Sequence, residues 1–136
     1  MTMRHDNSGL YQPAPADMQR ALLGSDLVMI GDLAFMHGVL PIDLNKNPVP
    51  LPESVEAQML KILGNMETIA DHSGMTRQHV VAVTLHITQL QRFGQRVDEA
   101  YAGFFAAARL PTRSVVGVDQ LPRGAMVSAD FILSRA

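Results

Sequence analysis

Apolar and polar positions along the chain alternate with two distinct periods, and each change of period marks a change of element. From Ser25 onward, Leu27, Val28, Met29 and Ile30 lead into Gly31-Asp32, after which Leu33 to Met36 form a second apolar run. Two short strands around a Gly-Asp turn are predicted, although the order reverses that of the strongest hairpin dipeptide, Asp-Gly. Residues 41–52 hold four prolines together with Asp43, Asn45 and Asn47, so a loop interrupts regular structure there. A helix follows. Ser54 is placed to cap it, Val55, Met59, Ile62, Leu63, Met66, Ile69 and Ala70 recur at three- and four-residue steps, and Gly74 is a natural stop.

The period then falls to two. Val81, Val83, Leu85 and Ile87 alternate with Ala82, Thr84, His86 and Thr88, which predicts a strand with the first set on one face and the second on the other. A second helix is expected over residues 90–108, from the spacing of Phe93, Val97, Ala100, Tyr101, Phe104, Phe105 and Ala108 before Pro111. Residues 114–118 and 125–133 read as strands, parted by the turn-forming Asp119, Gln120, Pro122, Arg123 and Gly124. The order β-β-α-β-α-β-β implies an α+β layer with both helices on one face of a mixed sheet. No third helix remains to cover the other face, which implies packing against neighbouring subunits. Residues 1–20, polar and containing Pro13 and Pro15, predict an irregular arm before a single domain of residues 21–136.

Composition removes several function classes. Charged residues are only 18% of the chain, a charge-poor surface that fits burial against further copies. A net charge of -2 lacks the positive field on which nucleic-acid binding draws, so no nucleic-acid partner is expected. The absence of cysteine rules out disulfides, a thiolate nucleophile and cysteine-ligated zinc. Arg4, His5, Asp6 and Asn7 stand where a signal peptide needs an apolar core, and no run approaches membrane-spanning length; a soluble, cytoplasmic protein without a membrane partner is expected. Phosphate-cradling glycine motifs and the nucleophile-elbow pattern are missing, so no cofactor is expected. Among His5, His37, His72, His79 and His86 no pair has the spacing of a helical metal site. His37 and His86 fall in or beside strands, where a hydrogen-bonded structural histidine is the commoner case. The carboxylate pairs Glu53 with Glu56 and Asp98 with Glu99 lie on helices, where solvated or capping roles are the default.

Residues 110–125, Leu-Pro-Thr-Arg-Ser-Val-Val-Gly-Val-Asp-Gln-Leu-Pro-Arg-Gly-Ala, are the most specific stretch. They resemble the C-terminal signature of the Rid (YjgF-type) family of enamine/imine deaminases, in which Pro-x-Arg-Ser opens one strand and Leu-Pro-x-Gly-Ala the next. The resemblance extends in order through Gly31-Asp32 to Pro41-Ile42-Asp43, Glu56-Ala57-Gln58, Asn65-Met66, Val80 to Thr88, Asp98-Glu99-Ala100-Tyr101 and Phe104-Phe105. It implies a chorismate-mutase-like fold, a homotrimer and small-molecule sites at the subunit clefts. It also implies that Arg113 pairs with a substrate carboxylate, with Ser114, His37 and Gly38 lining the same site. A planar guanidinium suits that task, since it grips a carboxylate with two prongs and stays charged.

The chain departs from the family at a telling place. Deaminating members carry a glutamate fifteen residues after the arginine, and that position is Ser128 here, with Asp130 two residues on and facing the same side. A serine hydroxyl orients water but is no comparable base. The family's frequent serine before the first glycine is His37, its frequent cysteine two after the arginine is Val115, and its N-terminal tyrosine has no secure counterpart, Tyr11 being a candidate. Two functions follow as expectations. One is hydrolytic deamination of a reactive enamine or imine bearing a carboxylate, with Arg113 as anchor and Ser128, His37 or Asp130 orienting water. The other is a trimer that binds a keto acid or similar small carboxylate without turning it over. RNA cleavage, after which some relatives are labelled, is disfavoured by the negative net charge.

Overall fold

A computed structural model describes residues 3–6, 24–44 and 49–136. Its strands are β1 (Met3–Asp6), β2 (Leu27–Ile30), β3 (Leu33–Val39), β4 (Val80–Thr88), β5 (Thr112–Val118) and β6 (Val127–Ser134); its helices are α1 (Val55–Asp71) and α2 (Leu90–Tyr101). The strands form one sheet in the order β1-β2-β3-β6-β4-β5. Only β4 and β5 run parallel, joined by the crossover that contains α2. This is the α+β layer expected from the sequence. It has one added strand, because Met3–Asp6 pair with Leu27–Ile30 inside the segment expected to be irregular.

Local chemistry explains most boundaries. The β2–β3 hairpin turns at Gly31, whose φ of 58° suits the first central position of a type II′ turn, so the Gly-Asp order is the fitting one. Ser54 caps α1 by accepting a hydrogen bond from the Ala57 N–H at 3.1 Å, which satisfies one of the helix's orphan donors. The apolar stripe of α1 is buried as expected. Two polar residues are buried with it and fasten the proline-rich loop. Gln58 donates to the Pro52 carbonyl and accepts from the Met126 N–H, both at 2.8 Å, while Asn65 donates to the carbonyls of Leu40 and Ile42. The Asn65 amide fixes where the chain leaves β3, and the Gln58 amide ties the end of the loop to the residue before β6.

Three expectations need correction. Val81 does not share the buried face with Val83, Leu85 and Ile87; it is 44% exposed, because the β4–β6 register slips between Val80 and Ala82 and restores the alternation one residue late. Helix α2 ends at Tyr101, seven residues before the periodicity does, as the chain turns through Gly103 at φ 85°. Phe104 and Phe105 still reach the core from the turn, with their rings edge-to-face at 4.9 Å and Arg77 stacked over Phe104 and donating to its carbonyl. Finally, β5 and β6 are shifted from their predicted limits, β5 beginning at Thr112 and β6 running from Val127 to Ser134.

The core lies between the helices and one sheet face. Met36, Val83, Leu85, Ile87, Ala129, Phe131 and Leu133 are buried there against α1 and α2. Strand β5, at the sheet edge, is exposed from Thr112 to Gly117. No helix among the described residues is long and apolar enough to cross a membrane.

Candidate functional site

Strand β5 carries Arg113, and its neighbours decide which way it points. Arg113 stands beside Val83 of β4, and Val83 beside Phe131 of β6. Paired residues of adjacent strands share a face, and Val83 and Phe131 lie beneath the helices, so Arg113 projects on the helix side of the sheet edge. Helix α2 receives it. The Arg113 Nη2 donates to Asp98 Oδ1, and the guanidinium carbon lies 4.8 Å from the centroid of the Tyr101 ring. Asp98 and Tyr101 are three residues apart and therefore share one stripe of α2. The helix comes close because β5 has a glycine opposite its first turn: a Cβ on Gly117 would meet the Leu90 side chain at 3.3 Å.

Tyr101 is only 9% exposed, and its hydroxyl is buried with no hydrogen-bond partner among the described residues. Burial pushes its ionisation upward, and the nearby Arg113 charge offsets part of that rise. The phenol therefore remains neutral beneath the guanidinium and offers it a π face.

The other candidate residues gather on the opposite, uncovered face. Between Met36 and Val39, β3 takes three steps while β6 takes two from Phe131 to Ala129, which defines a bulge at His37 and Gly38. Gly38 adopts φ 65°, a conformation that disfavours side chains, and its N–H donates to Asp130 Oδ1 at 2.7 Å. His37 is exposed on this bulge. Asp130 pairs in register with Thr84, and Ser128 with His86, so these four share a face. Ser114, beside Thr84 on the same face, donates to its hydroxyl at 3.3 Å. Ser128 itself is 4% exposed.

The structure thus brings Gly38, His37, Asp130, Ser128 and Ser114 to one side and sets Arg113 on the other. Within one chain, positions 113 and 128 face opposite sides of the sheet, because Arg113 pairs with Val83 of β4 and Ser128 with His86. Tyr11 lies outside the described residues. Three further residues join the picture: Asp98 and Tyr101 behind Arg113, and His86 opposite Ser128. In the sequence, Asp98 had only the look of a solvated helix carboxylate and Tyr101 of a core residue; their three-residue spacing was the available signal. Among the described residues, no group of three His, Asp or Glu side chains converges as a metal site would require.

These features define a class: a chorismate-mutase-like α+β domain with polar groups clustered on an uncovered sheet face and an arginine at the sheet edge. The chain belongs to the Endoribonuclease L-PSP family, the YjgF/Rid group, which matches residues 23–132. It is 33% identical over 110 residues to a RutC family protein of Sinorhizobium fredii, covering 81% of this chain and 85% of that one. It is 29% identical over 127 residues to TdcF of Escherichia coli, whose name marks it as a candidate reactive intermediate deaminase, covering 92% and 94% of the two chains. The crystal structure of TdcF with bound serine matches at a TM-score of 0.75 and 25% identity over 93% of this chain and 92% of that one. A candidate endoribonuclease of Thermotoga maritima matches at a TM-score of 0.81 and 27% identity, covering 100% and 99%.

Proposed function

We propose that the protein hydrolyses a small reactive enamine or imine bearing a carboxylate, releasing a keto acid and ammonia, in a site assembled between copies of a homotrimer. The observation that carries this reading is the state of Arg113. One nitrogen is held by Asp98 and the ring face by Tyr101, while the remaining donors have no hydrogen-bond partner among the described residues. Such a guanidinium is ready for a carboxylate. The serine bound to TdcF, an amino acid with its own carboxylate, fits that chemistry.

The division of candidate residues between two faces supports a shared cleft. The exposed edge of β5, with Arg113, would meet the uncovered face of the next copy, with Gly38, Asp130 and Ser128. An edge strand exposed from Thr112 to Gly117, with Val115 and Val116 at its surface, invites such coverage. In the cleft the substrate carboxylate rests on Arg113. Water adds to the imine carbon, the carbon–nitrogen bond of the resulting carbinolamine breaks, and the nitrogen leaves with its protons as ammonia. Asp130 already accepts from the Gly38 N–H and has a second oxygen to orient the water. Because imines hydrolyse readily in water, positioning alone is a useful contribution.

A second reading, a trimer that binds keto acids without turnover, is favoured by Ser128, which supplies no carboxylate at the position where the resemblance to deaminating members implies one. The deciding experiment measures keto acid release from freshly generated enamines of several amino acids, with the wild type, Arg113→Ala and Ser128→Glu side by side. Catalysis predicts wild-type release above the spontaneous rate on at least one enamine and its loss in Arg113→Ala. The added carboxylate should raise turnover of 2-aminoacrylate by about 10²-fold or more. Keto acid binding with no turnover by any of the three would leave the binding reading.

A further inference from the structure

Resting on the reading of Arg113 as the ligand anchor, we propose that Asp98 is a positioning and selectivity residue that aims the guanidinium and restricts the site to ligands with a single carboxylate. Asp98 is reached by one nitrogen of Arg113 only. A guanidinium has five N–H donors, so this contact leaves a complete two-pronged edge for a ligand. The ring of Tyr101 closes the rear of the guanidinium plane, and the i, i+3 spacing of Asp98 and Tyr101 makes both contacts rigid consequences of one helix. An arginine on an exposed edge strand would otherwise sample many rotamers; held in this way it loses less freedom on binding a ligand.

The charge of Asp98 has a second effect. Its side chain is 57% exposed, against 30% for Arg113, so its carboxylate faces the solvent from which a ligand arrives. Arg113 can compensate one ligand carboxylate. A second would find, among the described residues, no other cation in contact with this pair and two acids, Asp98 beside the arginine and Asp130 on the face proposed to complete the cleft. Two like charges several ångströms apart near a surface repel enough to change affinity a few-fold, and salt weakens the effect.

The test compares 2-oxopentanoate with 2-oxoglutarate, keto acids of equal length whose far ends are a methyl group and a carboxylate. Their affinities are measured calorimetrically at low and high salt for the wild type, Asp98→Asn, Asp98→Ala and Arg113→Ala. Absorbance titration of Tyr101 in a Tyr11→Phe background reports on the guanidinium without any ligand. The wild type should prefer 2-oxopentanoate. Asp98→Asn keeps an acceptor oxygen, so the Tyr101 titration should stay near that of the wild type while the preference narrows by about 3-fold, the narrowing shrinking at high salt. Asp98→Ala releases the arginine, so both acids should bind more weakly and Tyr101 should ionise at higher pH.

An unchanged preference in Asp98→Asn overturns the selectivity role. Unchanged affinity and Tyr101 titration in Asp98→Ala overturn the positioning role; in both cases loss of binding in Arg113→Ala would leave the anchor standing. Equal binding by the wild type and Arg113→Ala, or no binding by the wild type, would overturn the anchor and this inference with it.

Discussion

Arg113 concentrates the functional argument into one side chain, and its two contacts make it testable without knowledge of the natural substrate. Replacement by lysine keeps the charge but loses the planar fork, so affinity for small carboxylates should fall by about 1 to 3 kcal/mol in calorimetry. Equal affinity would show that geometry at this position is irrelevant. The stack on Tyr101 gives a second prediction. Burial raises the tyrosine above its ordinary value of 10.0 and Arg113 lowers it again. Arg113→Ala should therefore shift its ionisation further upward in an absorbance titration. An acid whose folded-state ionisation is raised contributes stability that is intact below its unfolded value and lost as pH rises through the folded one. Alkaline unfolding above pH 10 is thus the expected direction for this group. The sequence offered Arg113 through its motif, but neither its face nor its partners, because these depend on the pairing of β5 with β4 and the crossing of α2 above them.

Among the elements, those written in a single periodic pattern were legible and those shaped by pairing were not. The stripe from Val55 to Ala70 marks α1 and its cap outright. Ser54→Ala removes the acceptor for the Ala57 N–H and should cost about 1 kcal/mol, read as a lower thermal midpoint with an unchanged fold by circular dichroism. An unchanged midpoint would mean that water satisfies the donor equally well. By contrast, the bulge of β4 arises from a mismatch with β6 that nothing local in Val80 to Ala82 requires, and the bulge of β3 has as its local sign only Gly38, the glycine that takes up φ 65°. The early end of α2 is hidden for another reason. Phe104 and Phe105 continue the helical spacing while packing into the same cluster from a turn, so burial there mimics the period of a helix. Strand β1 escaped because Met3–Asp6 are polar enough to read as a tail; pairing with β2 and the Arg4 contact to Ser73 supply the order that composition does not.

At the level of the whole molecule, the one-sided helical layer was legible as soon as only two helical stripes could be found. Its consequence is a sheet face and an edge strand that need covering. We expect light scattering to give about three times the 14.8 kDa chain mass. A lysine at Val116, on the exposed edge strand, should shift the protein toward monomer and abolish carboxylate binding together with assembly. A concentration-independent monomer that still binds keto acids would separate the two properties and remove the need for a shared cleft. A shared cleft is defined by where a ligand sits. Its most direct test is a crystal structure grown with pyruvate. The expected result is a carboxylate gripped at two points by Arg113 of one copy, with the keto carbon over Gly38, Ser128 and Asp130 of another. Pyruvate bound away from Arg113, or held by residues of one chain alone, would contradict it.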